Sequence, residues 1–263
     1  MMPLLALQLL LMFGLPAGSP RAALPALPPS VVRARTLAVL NFDNNTGRTD
    51  YDPMGRGLAA MLITDLSVSP ELKLVERERM QDMLQEQDMS RSRLFDSTTA
   101  IKAGKLLGAE FIATGSLAAA APELRIDMRV IRIESGEIVK TARASGPEDK
   151  LFELEQQLAD GVLKDLDIAL SPEHEALMRK RQQANREIGV NSFKVFSSGL
   201  ALMDRGDYFG AAQKFQPLVM ESPGSLLVEL AYGEAKRRAA RAAQEATKKK
   251  VNDALKGLFR KPD

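Results

Sequence analysis

A chain of 263 residues is long enough for one or two domains with a real hydrophobic core. Its 45% hydrophobic and 27% charged composition is that of an ordinary globular protein, and the scarcity of aromatics, with no Trp and three Tyr, favours helix-rich packing over a large antiparallel sandwich. A formal net charge of +2 makes no electrostatic case for nucleic acid, and the absence of cysteine excludes disulfides, thiolate metal sites, Cys nucleophiles and a lipid-modified cysteine.

Leu4 to Leu15 is almost wholly apolar and is ended by Gly14, Pro16, Gly18 and Pro20. About a dozen residues are too few to span a bilayer, which needs roughly 20, but they suit an export leader. We expect a signal peptide over 1–23, although no Lys or Arg precedes the apolar run. A Pro- and Ala-rich linker is expected over 24–35.

Thr36 to Phe42 reads as a buried strand, followed by the turn cluster Asp43-Asn44-Asn45-Thr46-Gly47. Asp52 is a candidate N-cap for a helix with Pro53 in its first turn, whose face is Leu58, Met61, Leu62 and Leu66. Leu72–Glu76 predicts a second strand. Met80, Met83 and Leu84 predict a charged surface helix. Ser97 or Thr98 is expected to cap a helix through Ala100, Ile101, Leu106 and Leu107, closed by Gly108. Phe111–Ser116 predicts a third strand. In Leu124–Ile133, Leu124, Ile126, Met128 and Val130 alternate with Arg125, Asp127 and Arg129, which predicts a strand with one buried and one wet face. Ser135-Gly136 turns it into a partner at Glu137–Arg143. Leu151, Leu154, Leu158, Val162 and Leu166 then mark a helix.

The order β-α-β-α-α-β-β-β-α predicts an α/β domain over 36–170, a mixed sheet with crossover helices and an antiparallel hairpin. A charged, solvated helical connector is expected over 171–191. An all-helical unit over 192–263 is expected to end in a long basic helix.

Four segments together resemble the family of the curli-secretion channel CsgG: LAVLNFDNNTG (37–47), LVERERMQDMLQEQ (74–87), AGKLLGAEFIATGSL (103–117) and IDMRVIRIESGEIVKTARASG (126–146). The fold is also similar to the N-terminal domain of the TolB family and to outer-membrane lipoproteins that activate cell-wall synthases. The resemblance implies periplasmic proteins that work by contact. It does not extend to the pore, because Ala118–Glu123 and Pro147–Lys150 leave no room for membrane-crossing strands of about 9–11 residues beside the hairpin.

Gly199, Gly206, Asp207, Tyr208, Ala211, Phe215 and Pro223 resemble one tetratricopeptide repeat, and Gly233 follows Gly199 by one 34-residue period. The small residues permit close helix approach, Gly206-Asp207 makes the turn, Tyr208 and Phe215 fill the interface, and Pro223 ends the second helix. A single copy needs a surface to pack on. That surface is residues 171–190, the α/β domain or another chain.

No catalytic constellation appears. His174, the only histidine, is read as a solvated helix residue, Gly55-Arg56-Gly57 as helix packing, and Glu76 and Glu78 as surface charge. No metal or cofactor is expected. Asn44, Asn45, Thr46 and Tyr51 are the candidate exposed partner-binding loop, since the matching loop of the channel family lines its constriction. From Lys236 onward ten Lys or Arg face three Asp or Glu, a helix that could touch an anionic envelope surface. The leading expectation is a non-enzymatic periplasmic adaptor or assembly factor with protein partners in the envelope and no nucleic-acid role. A ring-forming subunit beside an outer-membrane pore and a regulator of cell-wall synthesis are the alternatives.

Overall fold

The computed structural model describes residues 34–86, 96–120 and 123–258. The expected leader and nearly all of the linker lie outside these residues. Strand β1 (Arg35–Val39) is parallel to β3 (Leu72–Leu74) on one side and to β4 (Phe111–Ala120) on the other. Its alternation decides what covers each face. Leu37 and Val39 enter the larger hydrophobic core, while Ala38 and Leu40 enter a smaller one on the opposite side. Strands β4, β5 (Glu123–Arg132) and β6 (Ile138–Pro147) run antiparallel, giving the order β3-β1-β4-β5-β6. The expected mixed sheet with its antiparallel hairpin is therefore present. It is parallel where helical crossovers join strands and antiparallel where a tight turn does.

Several local details differ from the sequence reading. Asp43–Asn45 forms a short strand, β2, which continues along β4 instead of lying in a free turn. Helix α1 (Met54–Leu66) starts at Pro53 without a side-chain cap. The Asp52 carboxylate is engaged elsewhere, accepting a 2.6 Å hydrogen bond from Asn44 Nδ2. Helix α3 (Ser97–Leu107) is capped by Asp96, which accepts from the Thr99 N–H at 3.0 Å, and not by Ser97 or Thr98. Leu106, placed on the buried face, is 39% exposed. β4 runs four residues beyond Ser116 through Leu117 and three alanines, small side chains that send no clear alternation signal.

Helices α2 (Arg77–Glu86) and α3 cover one sheet face, with Met80, Leu84, Ala100, Ala103 and Leu107 against Ile112, Ile131 and Ile133. That cover stops short of the other end of β5. There Asp127 takes Arg125 Nε and Arg143 Nε, each at 2.8 Å, on a wet face. The opposite face is covered by α1 and α4 (Leu151–Asp165), and Leu124, Ile126, Met128 and Val130 meet them in the main core.

Helix α5 (Pro172–Asp204) is two helical segments joined at Gly189, whose φ of 71° and ψ of 156° break the helical path. A short turn through Arg205 and Gly206 leads to α6 (Tyr208–Glu221), and α7 (Leu226–Leu258) follows. The 171–191 stretch is helical but not solvated all round. Met178, Gln182, Asn185 and Ile188 are each at most 5% exposed. Their spacing puts them on one face, and the surrounding charges hide that face in the composition.

The C-terminal helices pack on the α/β layer, and one hydrophobic cluster runs from Leu37 to Ala235. A methyl group at Gly57 of α1 would overlap the Ser197 hydroxyl and the Phe193 ring of α5, so glycine sets the approach of these two helices. This matches the packing role read for Gly55-Arg56-Gly57. From there aromatic rings step outward. Phe152 of α4 meets Phe193 at 5.5 Å, Phe193 meets Phe196 at 6.0 Å, and Phe196 meets Phe215 of α6 at 5.5 Å.

Candidate interaction site

The Asp43–Tyr51 loop is held in place. Asn44 donates from Nδ2 to the Arg48 carbonyl and to Asp52, and its Oδ1 accepts from the Thr46 N–H and hydroxyl. Tyr51, expected to be exposed, is 3% exposed, which corrects that reading. Its ring lies between two cations, with Arg48 Cζ 4.3 Å and Lys194 Nζ 4.8 Å from the ring centroid. Lys194 of α5 also reaches Glu148 at 2.7 Å and Asp50 at 3.2 Å. Burial, reinforced by Glu148, pushes the Tyr51 phenol up, so it stays protonated. Burial alone would raise Glu148, but hydrogen bonds from Lys194 and Tyr51 outweigh it and hold the carboxylate below its usual range. The Arg48 guanidinium holds Asp50 low as well. This arrangement is a clasp between the loop, the start of α4 and α5. Asn45 is the one of the four candidates that is exposed; Asn44 and Thr46 are half-buried.

Residues of the helical hairpin form a second group. Gly206 turns the chain with φ of +79°, and Asp207 caps α6 by accepting from Gly210 N–H at 2.9 Å. Gly199 faces the Phe215 ring, Ala211 and Phe215 are fully buried, and Tyr208 lies beneath Arg238 of α7, 5.7 Å from ring centroid to guanidinium carbon. Pro223 follows the end of α6 by two residues.

The open feature is one that sequence reading missed. A cleft of about 520 Å³ lies between α1, α2, α5 and α7. Its floor is apolar, made by Ala60, Ile63, Phe196, Leu200 and Leu227, and Leu230 stands at its edge 54% exposed. Its walls are charged. Arg238 of α7 spans it to pair with Asp82 of α2 at 3.1 Å, and also holds Glu234 at 2.8 Å. At one end Asp204 joins three elements, accepting from Arg56 at 2.7 Å and from Arg77 at 2.6 Å. The run Leu226-Leu227-Val228-Glu229-Leu230 was the available signal, being too broadly apolar for one helix face to bury.

A buried polar seam links α1, α4 and α5. Asp65 and Glu155 are at most 1% exposed, and Asn185 donates to Asp65 Oδ1 at 3.3 Å. Burial pushes Asp65 up to about 7, and burial together with the neighbouring Asp65 raises Glu155 well above the carboxylate range.

Among the described residues no three His, Cys, Asp or Glu side chains converge as a metal site, and no helix is long and apolar enough to cross a membrane. His174 sits in the first turn of α5, with Nδ1 3.0 Å from the capping Ser171 hydroxyl. Glu76 is exposed.

Residues 26–121 match the family model described as Curli production assembly/transport component CsgG. No curated protein matches the sequence. Among solved structures, the LpoB C-terminal domain from Salmonella enterica is similar at 18% identity over 45% of this chain and 87% of that one, with a TM-score of 0.38. Lipoprotein GNA1162 from Neisseria meningitidis is similar at 13% identity over 52% of this chain and 99% of that one, with a TM-score of 0.39. TolB from Acinetobacter baumannii is similar at 13% identity, covering 51% of this chain and 28% of that one, with a TM-score of 0.34. The matched segment runs from the linker through β4 and holds three of the four segments on which the resemblance rests, the hairpin segment 126–146 lying beyond it, and the chain carries a CsgG-like α/β domain joined to a C-terminal helical region.

Proposed function

We propose that this protein is a non-catalytic periplasmic adaptor or assembly factor that works by protein–protein contact in envelope secretion or assembly. The cleft between α1, α2, α5 and α7 carries this reading. It has an apolar floor and charged walls of both signs, with an exposed leucine at the rim. A protein segment with an apolar stripe flanked by charged residues fits such a groove, docking as an amphipathic helix does. The CsgG-like domain supports an envelope setting. The helical hairpin, a single tetratricopeptide-like unit in this reading, gives Phe196 and Leu200 of α5 to the cleft floor, and the clasped loop holds α5 in place.

The test uses the full-length chain with a photoreactive residue at Leu230, and a control at Glu173 on the exposed first turn of α5. A partner crosslinked from Leu230 alone is then purified and titrated against the wild type and Leu230→Glu. Weakening of about ten-fold or more, the effect of a charge in an apolar contact, supports the reading. Equal crosslinking from both positions, or affinity unchanged by Leu230→Glu, would overturn it.

A further inference from the structure

We infer that the C-terminal half of α7 is a docking surface for an anionic lipid bilayer. The helix divides sharply by environment. Leu227, Val228 and Ala235 are at most 3% exposed, and Arg238 ties the helix to Asp82 of α2. From Ala240 to Leu255 every residue is exposed. At 1.5 Å per residue this is about 24 Å of helix projecting beyond the packed body.

The charges on that projection are sorted. Between Lys236 and Leu255 stand seven Lys or Arg and two acids, Glu245 and Asp253. At about 100° per residue, Ala240, Ala243, Thr247, Val251 and Ala254 share one face. Lys250 lies on one side of that face, and Arg237, Arg241 and Lys248 lie on the other. Glu245 and Asp253 fall on the back, where Lys249 stands between them. A solvated surface helix gains from alternating charge signs all round. Here cations flank the apolar strip and the acids turn away from it, which is how a helix lies in the plane of an anionic interface. Val251, 52% exposed, and Leu255, 46% exposed, supply the side chains that enter the headgroup region. The remaining apolar residues are mostly alanine, so insertion is shallow and charge supplies most of the attraction. Long cationic side chains beside the strip can reach phosphate while their stems lie on acyl chain. Stacking aromatics, which single-stranded nucleic acid would need, are absent between Ala240 and Leu255.

The experiment is vesicle co-sedimentation of the full chain, with phosphatidylcholine alone and with phosphatidylcholine containing phosphatidylglycerol. Binding to the anionic vesicles should exceed binding to neutral ones by about ten-fold or more and fall with added salt, as screened charge requires. The triple variant Lys248→Ala, Lys249→Ala, Lys250→Ala should lose that excess while its circular dichroism and melting stay unchanged, since all three side chains are exposed. A second variant, Val251→Asp with Leu255→Asp, should weaken vesicle binding but leave binding to soluble polyglutamate less affected. Equal binding to both vesicle types, or full retention by the triple variant, would overturn the inference. So would salt-sensitive capture of polyglutamate without vesicle binding, which would assign the surface to an acidic protein.

Discussion

The Asp43–Tyr51 loop and the α7-walled cleft are opposites. The loop is polar in sequence and looks free, yet its tyrosine is buried between Arg48 and Lys194 and its asparagine is tied on both ends of the side chain. The cleft is built from residues that read as ordinary core, yet it leaves Leu230 and an apolar floor open. Local polarity thus predicts solubility of a segment, and availability depends on what packs beside it.

That comparison can be broken or sharpened by measurement. The largest effect is expected at the joint both regions share. Phe193→Ala removes a fully buried ring that touches α4, α5 and α1, and should cost about 3–5 kcal/mol in urea unfolding. A cost near zero would mean that the helical region does not depend on this joint. Tyr51→Ala should come next, at about 2–4 kcal/mol, because a buried ring is lost from the clasp. If Tyr51→Ala instead costs as little as a surface change, the loop is free and its original reading returns.

The buried pair gives a pH signature of intermediate size. Asp65 titrates near 7 when folded, against about 3.9 in an unfolded chain, and Glu155 is raised in the same sense. Both carboxyls bind protons more readily in the folded state, so their contribution favours folding at acid pH. The part contributed by Asp65 is lost as pH rises from about 4 through about 7. Glu148 and Asp50 are depressed and act with the opposite sign, their contribution being lost as pH falls. Asp65→Asn should therefore flatten the melting temperature between pH 5 and 8 and raise it at pH 8. An unaltered slope would clear the pair of responsibility. The smallest effect is expected at the cleft rim. Leu230→Ala should change stability by no more than about 0.5 kcal/mol in thermal melts, as for other exposed positions. A loss of several times that would show the cleft to be core.

Much of the α/β layer was legible from the chain. The Leu124–Val130 alternation and the helical stripe Leu58–Leu66 each declare one buried face, and the turn at Ser135-Gly136 fixes the pairing of β5 with β6. Caps were harder. Asp52 ahead of α1 and Asp96 ahead of α3 are equally plausible capping residues by type, yet only Asp96 caps its helix, while the Asp52 carboxylate accepts from Asn44, a residue eight positions away. The site was less legible still. Asp204, which joins Arg56 and Arg77 across 148 and 127 residues of sequence, carries no local sign of that role.

The sequence by itself determined the periodicities, the glycines that permit close helix approach, and the segregation of charge along α7, because these depend on spacing within one element. Only the tertiary structure decided which polar segment is clasped, which apolar run stays open, and that the helical hairpin finds its packing surface on the α/β layer. Those outcomes rest on contacts between residues far apart in the chain, whose energies no single segment contains.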